Sequence, residues 1–117
     1  MRYEEMETLA LLNEFEEKAK LWGDLIGHNA RKANRLFSQL DLMDKELRRS
    51  PEGRSGMEGL LSHDSQGVRL LASTACLYWN PEIGVAALEQ LASEPGLHAS
   101  SAKYTLKAFH DGTLNLE

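Results

Sequence analysis

Apolar residues recur at every third or fourth position along most of the chain, the spacing of helices that bury one face. No stretch alternates apolar and polar positions with β-branched enrichment, so strands are not expected. The punctuation cuts the chain into helix-sized pieces. The first predicted helix runs from about Tyr3 to Lys20, with Leu11, Leu12, Phe15, Ala19 and Trp22 on one stripe. Gly23-Asp24 reads as a break followed by an N-cap. The second predicted helix then runs from about Asp24 to Arg49, roughly 37 Å at the usual rise. Its inward face would hold Ile26, Ala30, Ala33, Phe37, Leu40 and Leu47.

Ser50 to Gly56 reads as a loop, because Pro51 biases Ser50 away from helix. A short third helix is expected over Met57 to Ser62. Ser65 is placed to cap a fourth, which runs to about Trp79. That fourth helix carries Val68, Leu71, Ala72, Ala75 and Trp79 on one side and Leu70 and Leu77 on the other. A helix apolar on two sides belongs between neighbours, so it is expected at the centre. Asn80-Pro81 reads as an N-cap and first helical position. The fifth helix follows to about Ser93, with Gly84, Ala87, Leu88 and Leu91 inward. Glu94-Pro95-Gly96 breaks the chain before a sixth helix over Leu97 to Asp111. Its stripe is Ala99, Ala102, Leu106 and Phe109, and Gly112 can end it in the left-handed conformation. Short links favour antiparallel neighbours, pairing one with two, three with four and five with six. The expected fold is all-α: a single domain over residues 1–117, with three antiparallel helix pairs stacked as a short α-α superhelix.

The run Met57-Glu-Gly-Leu-Leu-Ser-His-Asp-Ser-Gln-Gly-Val-Arg-Leu-Leu-Ala-Ser-Thr-Ala resembles one unit of a HEAT repeat. It has paired leucines, a polar turn with Asp64, then Val68-Arg69 and small residues at Ala72 and Ala75. The stretches Asn34-Arg35-Leu36-Phe37, Glu46-Leu47 and Leu106 to Asp111-Gly112 extend the resemblance. Together they are similar to short bacterial HEAT-like proteins catalogued as a domain of unknown function. That resemblance implies a fold and no reaction. It also implies a structural role for Asp64 and Arg69 in linking neighbouring pairs. The first and third pairs lack a Val-Arg counterpart and would be end caps.

The chain has 117 residues, 42% of them hydrophobic and 26% charged, which suits one globular domain. The acidic start does not read as a secretory or mitochondrial signal. No apolar run approaches a membrane span. A cytoplasmic location is expected. Cys76 is the single cysteine, so no internal disulfide can form. The formal net charge of -5 disfavours non-specific nucleic-acid binding. The charges are uneven, however. Acids crowd the first predicted helix and cations the second.

Catalytic signatures are weak. His28, His63, His98 and His110 offer no pair three or four apart, so no metal site and no cofactor are expected. Cys76 falls on an apolar flank and reads as an inert thiol. Neither a nucleophile elbow nor a phosphate loop occurs. Asn29 and Asp44 fall near the apolar side of the second helix, where a buried polar group needs partners. A pocket gathering His28, Asp44 or Glu46 would favour an enzyme.

The outer face of the second helix is more informative. Arg31, Arg35, Leu42 and Arg49 share a stripe, and an apolar anchor among arginines is a hot-spot composition. The bland alternative is a solvated face with one stray Leu. Lys103, Tyr104 and Lys107 lie on the outer side of the sixth helix. If the second helices of the pairs line one surface, these residues would join Arg31 and Arg35 in a mildly basic lining. The expected function is a non-catalytic module that binds another protein through this surface. One biological version is an immunity protein that neutralises a bacterial toxin. The alternatives are a nucleic-acid-binding HEAT-like protein and a structural subunit, which would form a homodimer. No membrane association is expected.

Overall fold

The computed structural model describes residues 2–114. Among them lie six α-helices: α1 (Thr8–Leu25), α2 (Ala30–Leu47), α3 (Pro51–Gly59), α4 (Gln66–Cys76), α5 (Pro81–Ala92) and α6 (His98–His110). Short 3-10 turns at Tyr3–Glu5 and Leu60–Ser62 precede α1 and follow α3. No strand occurs among the described residues, and no helix is long and apolar enough to cross a membrane. The protein is all-helical, as its periodicity predicts.

The break expected at Gly23-Asp24 is not there, because α1 continues to Leu25. The chain turns instead at Gly27, whose φ of 87° suits a residue without Cβ. Asn29, not Asp24, caps the next helix: its Oδ1 accepts a hydrogen bond from the Lys32 N–H at 3.1 Å. The expected helix over Asp24 to Arg49 is therefore the shorter α2. Its buried face is Ala33, Leu36, Leu40, Met43 and Leu47, spaced by threes and fours. Ala30 lies outside this face, and Phe37 is 48% exposed.

The expected loop from Ser50 to Gly56 is helical. Pro51 is the first residue of α3, and Ser50 Oγ accepts from the Gly53 N–H at 3.0 Å. Proline lacks an N–H, and the first position of a helix needs none. A side chain at Gly53 would overlap the Leu47 carbonyl, so glycine sets the tight corner between α2 and α3.

The centre of the fold is α4. Ser65 Oγ caps it by accepting from the Val68 N–H at 3.3 Å. Val68, Leu70, Ala72, Ser73, Ala75 and Cys76 are all buried along it. It packs against α1, α3, α5 and α6. The α1 contact is backbone on backbone: a Cβ on Gly67 would lie 2.7 Å from Gly23 Cα. The α5 contact is nearly as close, since a Cβ on Gly84 would lie 2.9 Å from the Ser73 carbonyl oxygen. The most extensive packing joins α1 to α2, α4 to α5 and α5 to α6, so α4 leans more on α5 than on α3.

Two polar links fix the N-terminal end of α4. Arg69 donates from Nη1 and Nη2 to the two oxygens of Glu94, both at 2.7 Å, beyond the end of α5. These short bonds go to Glu94 and not to Asp64, which is exposed in the turn before α4. The Arg69 guanidinium holds the Glu94 carboxyl down at about 2. At the same end, His63 Nδ1 accepts from the Ser65 N–H at 2.9 Å, which leaves the proton on Nε2, 2.9 Å from Glu16 of α1.

The glycine contact predicts a sharp contrast. Gly67→Ala is expected to destabilise by about 1–3 kcal/mol through overpacking. Gly59→Ala has open space around its Cβ and an ordinary helical φ. It is expected to be neutral or stabilising by about 0.4–1 kcal/mol. Urea unfolding of both variants checks this.

Candidate functional site

Beside the buried stripe of α2 runs a second one: Phe37, Asp41, Asp44 and Arg48, spaced by four, three and four. On α6, Ser101 and Thr105 are also one turn apart. Because α4 lies between these helices, it supplies Leu70, Leu71, Thr74 and Ala75 to the space they leave. Phe15 and Trp22 of α1 close the bottom. The result is a cleft of about 350 Å³, lined by α1, α2, α4 and α6, with Leu114 at its edge. That volume falls within the ordinary range for binding sites, and the mixture of an apolar floor with a few polar groups is typical of them.

The polar groups are mostly hydrogen-bond acceptors. Asp44 is largely buried, and its Oδ1 has no hydrogen-bond partner among the described residues. Its Oδ2 lies 3.8 Å from Arg48 Nη1, an ion-pair distance too long for a hydrogen bond. Burial pushes the Asp44 carboxyl up to about 6, against the opposing pull of Arg48. Arg48 is itself buried, with its guanidinium 4.4 Å above the Tyr78 ring centroid. Asp41 pairs with Lys45 at 3.1 Å. The Thr74 hydroxyl donates to the Leu70 carbonyl at 2.7 Å, and the Thr105 hydroxyl to the Ser101 carbonyl at 2.9 Å. Both threonines have thus committed their only proton and retain lone pairs.

The residues singled out from sequence lie elsewhere. Arg31, Arg35, Leu42 and Arg49 are exposed on the side of α2 turned away from Asp44. Leu42 and Arg49 form a shallow pocket with Arg2, Tyr3 and Glu4 of the N-terminal turn, and Arg49 Nη1 donates to Glu46 Oε2 at 3.3 Å. Lys103, Tyr104 and Lys107 are exposed on α6, where Lys107 Nζ donates to Asp111 Oδ2 at 2.8 Å. None of these lines the cleft. The charged residues that line the cleft are instead Asp41, Asp44 and Arg48. The sequence made Asp44 conspicuous but gave no sign of Ser101, Thr105 or Thr74 as its companions.

His28, Asp44 and Glu46 are not gathered either. His28 is exposed in the turn after α1, and Glu46 faces Arg49. Asn29 is spent on capping α2. Cys76 is buried in α4, and burial pushes its thiol up to about 12. A thiol in that state is a poor nucleophile. What the cleft offers is a shaped surface with unfilled acceptor capacity.

The fold recurs in a solved structure. The chain is similar to the protein RPA1889 from Rhodopseudomonas palustris CGA009, whose crystal structure superposes with a TM-score of 0.89. The two are 25% identical, and the match covers 100% of this chain and 99% of that one. No family model matches the chain, and no curated protein matches it.

The state of Asp44 has a measurable sign. A carboxyl raised from its ordinary 3.8 to about 6 binds its proton more readily in the folded state. Its charge therefore opposes folding above about pH 6, and this opposition fades as pH falls towards 4. Asp44→Asn is expected to raise stability at pH 7 by about 1–3 kcal/mol. The gain should vanish near pH 4. Urea unfolding at the two pH values checks both halves.

Proposed function

We propose that the chain is a non-catalytic protein-binding module that receives a segment of its partner in the cleft between α2, α4 and α6. The observation that carries this reading is the cleft itself, an apolar floor held open between packed helices. Phe37 stands half-exposed at its rim. Helical stacks of the HEAT kind present rigid, shaped surfaces of this sort, which suit protein segments. A nucleic-acid backbone fits the cleft poorly, since its phosphates would meet Asp41 and Asp44. An immunity protein that neutralises a bacterial toxin is one biological setting. There, a net charge of -5 would speed association with a basic partner.

Affinity capture from source cells tests the reading with two folded variants. Thr105→Arg fills the cleft from α6, and Arg35→Glu reverses a charge on the far side of α2. One dominant partner is expected on the wild-type chain and on Arg35→Glu, and none on Thr105→Arg. Loss with Arg35→Glu alone would move the interface to the outer face of α2. Absence of any partner on the wild type would remove the reading.

A further inference from the structure

Resting on that reading, we infer that the partner's anchor in the cleft is a lysine side chain, its ammonium bonded to Asp44 and its methylene stem lying on the apolar floor. The argument is one of unmatched hydrogen-bonding capacity. Asp44 has a buried oxygen with no partner among the described residues. Leaving such a group unsatisfied is costly, so the site gains from any donor that reaches it. A carboxylate has about four lone-pair positions, so the Arg48 contact leaves room for a second donor. Rotation about the Asp44 Cβ–Cγ bond is soft and can turn either oxygen to the cleft. Thr74 and Thr105 add acceptors, because their own protons point to backbone carbonyls.

A lining richer in acceptors than in donors selects its occupant. A hydroxyl or an amide would bring acceptor atoms of its own, for which the polar side chains described in the lining offer donors only at Arg48 and Ser101. An ammonium carries three donors and no acceptor. Its four-carbon stem matches a floor of Phe15, Leu70, Leu71 and Ala75, along which such stems lie readily. Asp44 and the apolar floor line the same cleft, which suits a long apolar stem with its charge at the tip.

Amide-resolved NMR titrations of the full chain test this with pentylammonium, 1-pentanol and two blocked tripeptides, acetyl-Leu-Lys-Leu-amide and acetyl-Leu-Gln-Leu-amide. Pentylammonium and the lysine peptide are expected to shift the amides of Leu71, Thr74 and Thr105. Each should bind at least tenfold tighter than its neutral counterpart. Asp44→Asn should abolish that tenfold preference while leaving 1-pentanol unchanged. Thr105→Val should weaken it by a smaller factor. Equal binding of the lysine and glutamine peptides would overturn the inference and leave the protein-binding reading intact. Preference for pentylammonium with no binding of either peptide would overturn a protein-borne source, and the reading with it.

Discussion

The backbones of α1 and α4 touch at Gly23 and Gly67, and the remaining architecture is arranged around that contact. Either glycine, given a side chain, would push the helices apart by a distance the neighbouring core cannot absorb. The contact brings α4 deep into the molecule, where most of its circumference is covered. Leu70 and Ala75 can then serve the core on one flank and the cleft floor on the other. Gly84 repeats the device on the α5 side, so the central helix is gripped by close approach rather than by large side chains. Arg69 and Glu94 complete the arrangement with a paired bond from α4 to the end of α5.

The cleft follows from the same geometry. Because α4 sits low between α2 and α6, those two helices stand as walls above it. The wall residues are the ones adjacent to each buried stripe, half in and half out of the core. A carboxylate at such a position is neither hydrated as it would be on the surface nor neutralised by a close donor. Asp44 is in that condition, and its cost to folding is offset by the packing beneath it. Polar groups kept at a cost to stability are a common mark of function.

The sequence carried the all-helical class and the central place of the fourth helix plainly, since Val68, Leu70, Leu71, Ala72, Ala75 and Leu77 cannot all face one neighbour. It also carried the cap at Ser65, whose chemistry is local, and the helix start at Asn80-Pro81, where Asn80 holds the N-cap position without a side-chain hydrogen bond. What it concealed depended on neighbours. Gly23 and Pro51 look like breaks in isolation, yet one is a helix-crossing point and the other a helix start. On α2, Ala30, Ala33 and Phe37 form a plausible stripe that competes with the true one through Leu36 and Met43. Choosing between them requires knowing where α1 lies. The cleft was hidden for the same reason: Asp44, Thr74 and Thr105 are far apart in the chain, and only packing brings them to one space. The arginine stripe is conspicuous for its exposure, whereas the structure draws attention to a partly buried acid.

Cys76 has a practical bearing on how this protein can be probed. Burial pushes the thiol up to about 12, so at neutral pH it stays protonated, and its place in the core keeps it from solvent besides. Alkylating dyes and spin labels therefore have almost nothing native to attack. A single cysteine engineered at the mouth of the cleft would carry its label alone, without first removing the natural sulfhydryl from the tightly filled interior.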